Sequence, residues 1–195
     1  MSRYYCLENP ETMTLATEVL ASQQGRLLLR ESPFYPGGGG QLPDRGLLRW
    51  DGGESVVSGF DVQDGKVWHL LADPVALPPG PVEALVDSRF RQLMRELHTD
   101  LHIVNALVYQ SFNGALVTGV QMNEDGTARI DFDLPEADND RLRALEPAIN
   151  DVIRQDLPVR EVQVGEAQAA SEPGLIRSRS VAPPATPDGQ VRIVE

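Results

Sequence analysis

An α+β fold opening with a small N-terminal β-barrel is what this sequence predicts, on three observations. Residues 1 to about 80 carry short strand-like runs between closely spaced turn signals. Residues 88 to 110 carry one uninterrupted helical period, and from Ala115 onward short strands alternate with helix. The barrel strands are expected at Thr14–Leu20, Arg26–Arg30, Gly46–Trp50, Ser55–Val62 and Lys66–Leu71, punctuated by Gln24-Gly25, Asp51-Gly52-Gly53 and Asp64-Gly65. Pro78-Pro79-Gly80-Pro81 breaks the chain and marks a domain boundary. The expected domains are therefore 1–80, a barrel with a glycine-rich loop, and 81–195, an α+β domain.

The second domain opens with a strand at Val82–Val86 and an N-cap candidate at Asp87 or Ser88. Phe90, Met94, Leu97, Leu101, Val104 and Val108 then recur at three and four residues with no glycine or proline between them. Ala115–Met122 and Ala128–Leu134 read as a hairpin around Asn123–Gly126. A helix is expected over Asn139–Gln155, with Leu142, Leu145, Ile149 and Val152 on one face and Pro147 near its start or kinking it. A strand at Val159–Val164 follows, then a proline-bearing loop over 180–190, and Val191–Glu195 begins a further strand. That last run has no terminating turn, so the chain is expected to continue beyond it. There is no internal repeat.

Length and composition set bounds. A chain of 195 residues, 41% hydrophobic, has room for one large or two small domains with real cores. No apolar run approaches the roughly 20 residues of a membrane span, and the N-terminus lacks the apolar core of a secretory signal. One cysteine excludes an internal disulfide and suits a reducing cytoplasm. A net charge of −12 argues against DNA and lowers the prior for any nucleic acid. The arginines are grouped all the same: Arg89, Arg91 and Arg95 lead up to the histidine pair described next, Arg45 and Arg49 flank the glycine loop, and Arg177 and Arg179 form a third cluster. Each suits a solvated face as well as an RNA footprint.

Two segments carry chemistry. His98-Thr-Asp-Leu-His102 places two imidazoles one helical turn apart on a single face, half of an ordinary zinc site. The same spacing also suits solvated histidines, and Thr99 stands where a metalloprotease needs its general-base Glu. The other segment is Ser32–Gly46, in which Pro33 and Pro36 fix φ and Gly37–Gly40 admit backbone closed to other residues. Phe34, Tyr35 and Gln41 clamp these glycines, which favours a functional or interdomain loop over a linker.

Together these segments resemble the editing domain of alanyl-tRNA synthetase and its freestanding relatives, the AlaX-type trans-editing proteins. The loop is similar to the family's proline-phenylalanine-tyrosine, glycine-rich, Gln, Asp-x-Gly signature, and His98–His102 to its first zinc half-site. Further similarities follow in order at Arg129–Asp133, Asn150–Ile153, Leu157–Val159, Pro173–Leu175 and Val191–Glu195. The family completes its zinc site with a Cys-x-x-x-His motif that this sequence does not contain; its remaining thiol and histidine are Cys6 and His69.

The resemblance implies an editing-type second domain of the threonyl/alanyl-tRNA synthetase kind. It implies zinc on His98 and His102, and hydrolysis of the ester in Ser-tRNA(Ala), with Gly-tRNA(Ala) as a further substrate. It also implies catalytic roles for Gln41 and Thr118, substrate contact at Gly38, Gly39 and Gly40, and the tRNA(Ala) acceptor end on Arg89, Arg91 and Arg95. Thr118 resembles the family's serine-sensing position, and equally suits a plain β-former. A different class of function, a metal-free tRNA-binding or interaction module of the same fold, stays open. The length leaves no room for an aminoacylation domain.

Overall fold

The computed structural model describes residues 4–73, 77–134, 139–172, 174–179 and 189–194. Pro173, residues 180–188 of the expected loop, and Glu195 lie outside them. The chain divides into two units, Met1–Arg95 and Glu96–Glu195.

The first unit is a closed, wholly antiparallel barrel in the order β1-β2-β5-β4-β3-β6. Its strands are β1 (Thr14–Gln23), β2 (Arg26–Leu29), β3 (Gly46–Trp50), β4 (Gly53–Gln63), β5 (Lys66–Leu71) and β6 (Gly80–Val86). Period-two alternation turns Val19, Leu27, Leu29, Leu48, Val57, Leu71, Val82, Ala84 and Val86 inward as one core. The expected first domain differs from this in one respect. The sequence places the strand after Pro78–Pro81 in the second domain, whereas β6 pairs with β1 on one side and β3 on the other and so closes the barrel. Five strands would leave two open edges, and the sixth removes them.

The Ser32–Gly46 loop lies outside any strand yet supplies the barrel with its largest fully buried side chain, Phe34. The Phe34 ring sits 5.8 Å from that of Phe60 and 5.7 Å from that of His69. Gly46 is required by close approach, since a Cβ there would lie 1.9 Å from the Leu85 carbonyl oxygen and 2.8 Å from the Phe34 ring. His69 is itself buried inside the barrel. Its Nδ1 faces the Leu27 carbonyl oxygen at 3.3 Å, which can only accept, so Nε2 accepts the Ser32 hydroxyl at 2.7 Å. The Ser32 oxygen in turn accepts the Phe34 N–H at 3.2 Å.

A short helix α1 (Tyr5–Glu8) precedes the barrel, and α2 (Ser88–Ser111) follows it. The Asp87 carboxylate caps α2 by accepting the Phe90 N–H at 3.0 Å. The first turns of α2 are fixed by Arg91, which is buried and ion-paired to the buried Asp44 of the loop.

The second unit holds the rest of α2, the hairpin β7 (Val117–Met122)–β8 (Ala128–Phe132), α3 (Asn139–Arg143), α4 (Glu146–Arg154), β9 (Glu161–Gly165), α5 (Glu166–Ser171) and β10 (Gln190–Val194). The expected helix over 139–155 is two helices: Pro147, which lacks an N–H, occupies the first turn of α4. The run beginning at Val191 is a strand antiparallel to β9. Short α1 and α5 are not foreseen from the sequence, having too few turns to show a period. Among the described residues, no helix is long and apolar enough to cross a membrane.

Two predictions follow from the first unit. Asp44→Asn leaves a buried guanidinium without its counter-charge and is expected to cost roughly 3–5 kcal/mol in urea unfolding, whereas Asp44→Leu with Arg91→Met removes both charges and recovers much of the loss. Wild-type stability in the single variant would show that the pair carries no net stability.

The second prediction concerns pH. Burial holds His69 down at about 4 against an ordinary value of 6.5. The unfolded chain takes up this proton below pH 6.5 and the folded chain only near 4, so the contribution is complete above 6.5 and lost as pH falls to 4, in all about 3 kcal/mol. His69→Gln is expected to flatten unfolding stability between pH 7 and pH 5. An unchanged slope would assign the proton uptake to other groups.

Candidate functional site

The histidine pair rests on helix geometry alone. A rise of about 1.5 Å and a turn of about 100° per residue stack positions 98 and 102. The rings lie parallel, 6° between planes, with centroids 5.0 Å apart. Both are held below the ordinary histidine range. His98 is shifted to about 4, first by desolvation, then by His102 and by Arg192 of β10. His102 is exposed by area, yet desolvation still leads its shift, followed by Arg192 and Arg177. Both imidazoles are thus neutral at pH 7 and present lone pairs.

These donors fit zinc in kind and provide half the number of a closed site. Among the described residues, no group of three or more His, Cys, Asp or Glu is placed to hold a metal ion. The same helical face continues to Asn105. By the helical repeat, residues 98, 102 and 105 fall within about 60° of one another. The Asn105 Oδ1 atom is buried without a hydrogen-bond partner, the one such side-chain atom among the described residues. An unsatisfied buried acceptor costs about 1–3 kcal/mol. The sequence signal for Asn105 is an amide inside the apolar run Ile103–Val108, which draws no notice until burial is known.

Around this face the second unit is tied together by backbone and arginine. The Val117 N–H donates to the Arg177 carbonyl at 3.0 Å and the Val117 carbonyl accepts from Arg179 at 2.9 Å, so 177–179 runs parallel beside β7. The Arg177 guanidinium covers the Tyr109 ring, its carbon 5.2 Å from the centroid. Arg192 is ion-paired with Glu161. Thr118 is exposed and falls where the β7–β8 register slips between Val117 and Gly119. It is therefore the extra residue of a bulge, a position that re-aims a side chain, rather than a regular ladder residue.

The loop residues belong to the first unit. Gly37, Gly38, Gly39 and Gly40 all have positive φ, 93°, 130°, 61° and 82°. Gly38 and Gln41 exchange backbone hydrogen bonds of 3.2 and 3.1 Å, closing a tight turn that the Tyr35 hydroxyl braces by donating to the Gly38 carbonyl at 3.1 Å. The base of the loop is locked from below. Asp44 accepts the Tyr35 N–H at 2.6 Å and Arg91 Nε at 2.8 Å, while Arg91 also donates to the carbonyls of Pro33 and Pro10 at 2.7 and 3.1 Å.

The structure thus brings His98 together with His102, and Gly38–Gly40 together with Gln41. It corrects one site residue. Arg91 was expected to meet tRNA, but its side chain is 4% exposed and its donors are spent on Asp44 and two carbonyls, so it offers nothing to a phosphate. Arg89 is exposed, and Arg95 is partly exposed and paired with Glu11.

No protein-family model matches the chain. Individual proteins do. The chain is 29% identical over 181 residues to the alanine–tRNA ligase of Streptococcus agalactiae, a match that takes in 88% of this chain and 21% of that protein. It is 33% identical over 152 residues to the alanine–tRNA ligase of Salinibacter ruber, 75% of this chain and 16% of the ligase. It is 35% identical over 150 residues to that of Frankia alni, 73% and 17%. The chain spans about a fifth of the length of the curated relatives it matches. What it shares with alanine–tRNA ligases is one segment of them.

Proposed function

We propose that this chain is an aminoacyl-tRNA deacylase that cleaves mischarged Ser-tRNA(Ala), and Gly-tRNA(Ala) as a further substrate, in the cytoplasm. The observation that carries the reading is the stacked, neutral His98–His102 pair on one face of α2, in a chain similar to a limited segment of alanine–tRNA ligases. The fold and function are those of an editing domain acting in trans, as the AlaX-type proteins do. An aminoacyl ester is already activated, so its hydrolysis needs an aligned water and charge stabilisation more than a strong nucleophile or ATP. A ligase pocket cannot reject serine strongly on size, and a second site that reads the hydroxyl supplies the discrimination.

Zinc is the proposed cofactor, held by His98 and His102, and when bound it polarises water or orients the substrate amine. The chain's own residues provide the rest. The two neutral imidazoles accept hydrogen bonds at one place on the helix face. Thr118, turned by its bulge, meets the serine hydroxyl, and Gln41 with Gly38, Gly39 and Gly40 contacts the substrate from a turn closed on itself. The tRNA(Ala) acceptor end is proposed to meet exposed Arg89 and the accessible part of Arg95.

One observation favours the other reading, a metal-free tRNA-binding module. Arg177 and Arg192 act electrostatically on the histidine pair, an environment that suits a phosphate better than a dication. Metal content decides between them. Zinc bound per chain is expected to fall in both His98→Ala and His102→Ala, and zinc occupancy unchanged in both variants would remove the metal reading.

Substrate choice tests the reaction. Thr118→Val is expected to slow cleavage of Ser-tRNA(Ala) by the worth of a neutral hydrogen bond, about 0.5–1.5 kcal/mol, and to leave Gly-tRNA(Ala) nearly unchanged. The assay compares Ser-, Gly- and Ala-tRNA(Ala) at one stated salt concentration. Equal cleavage of Ala- and Ser-tRNA(Ala) by the wild type would defeat the editing function.

A further inference from the structure

The unpartnered Asn105 oxygen has no role in the reading so far. It stands on the helix face of His98 and His102, one turn past His102, and side chains on a helix lean toward its N-terminus, here toward the histidines. Oδ1 is only an acceptor, so whatever satisfies it is a donor. Among the described residues none donates to it. The α-ammonium of an aminoacyl ester is common to every substrate, so only a side-chain donor would let this acceptor discriminate among them. The serine hydroxyl is such a donor.

We infer that Asn105 is a specificity residue whose Oδ1 accepts the side-chain hydroxyl proton of a seryl ester. The inference rests on the deacylase reading and extends it. A hydroxyl offers one proton and two lone pairs, so Asn105 can take the proton while a second group, such as Thr118, donates to the oxygen. Substrates without the hydroxyl leave the acceptor as it is in the free protein. Asn105 is half-buried, and rotation about its last torsion, which is broad for amides, turns Oδ1 toward an arriving ligand. An acceptor that the described residues leave without a donor is one a seryl hydroxyl can satisfy, as functional sites that trade stability for recognition do.

The test uses two non-hydrolysable probes, the 3′-seryl and 3′-glycyl amides of 3′-amino-3′-deoxyadenosine, titrated into the full chain by calorimetry. The wild type is expected to prefer the seryl probe. Asn105→Leu, which keeps the branching at Cγ and removes the amide, is expected to weaken seryl binding about 3- to 10-fold with glycyl binding unchanged. The same variant is expected to unfold in urea at or above the wild-type midpoint, because it removes an unsatisfied polar atom rather than a bond. Should leucine not fold, Asn105→Ala gives the same seryl-to-glycyl contrast. A seryl preference that survives both variants overturns the inference. So does an equal loss of both probes, which would assign Asn105 to the ribose or to a structural water, and so does a wild type that prefers neither. A chain that selects the seryl probe through Asn105 but does not deacylate Ser-tRNA(Ala) keeps the recognition and loses only the catalytic reading.

Discussion

The ion pair of Arg91 with Asp44 is the constraint on which the first unit turns. Asp44 sits nine residues from Tyr35 and 47 from Arg91, and its one carboxylate joins all three segments. Arg91 extends the junction to Pro33 and Pro10 through its remaining donors. Burial of two charges is repaid only when the geometry is good and further hydrogen bonds engage the remaining groups, and here Arg91 also binds two carbonyls while Asp44 also accepts the Tyr35 N–H. The consequence is a loop whose four glycines have permissive backbones but little freedom, because both of its ends are fixed. Phe34 in the barrel and Gly46 against Leu85 fix them further.

Much of the fold was legible because its signals are local. β3 and β5 fall on the residues expected, and α2 ends one residue past its forecast limit, since turns and helical period act over a few residues. What was not legible depends on distant partners. Nothing within Gly80–Val86 says that it pairs with both β1 and β3, and a proline-rich boundary signal pulled the reading the other way. The same holds for the site. His98 and His102 are found by spacing, whereas Arg91 reads as one more surface arginine until Asp44 is brought to it. Asn105 is distinguished only by an oxygen that found no donor.

The histidine face combines features that act in one direction. Desolvation, with Arg192 acting on both rings and Arg177 on His102, holds both imidazoles below the ordinary histidine range, which preserves their lone pairs at physiological pH. Protonated, the pair would repel itself at a ring separation of 5.0 Å. The arginines are in turn moderated by their own contacts, Arg192 by Glu161 and Arg177 by the Tyr109 ring. At the centre of the face stand two neutral imidazoles.

A net charge of −12 sets the terms on which such a protein can meet RNA. Several of its arginines already hold carboxylates: Arg95 holds Glu11, Arg179 holds Asp133 and Arg192 holds Glu161. A phosphate reaching one of them must displace a carboxylate, so each contact is an exchange of anions and contributes less than the release of counterions from an unpaired cation. Under the proposed function this is an advantage. A deacylase has to let go of the tRNA it has corrected, and weak contacts to the polyanion leave selection to the short aminoacyl group at the helix face, where neutral acceptors and not net charge discriminate.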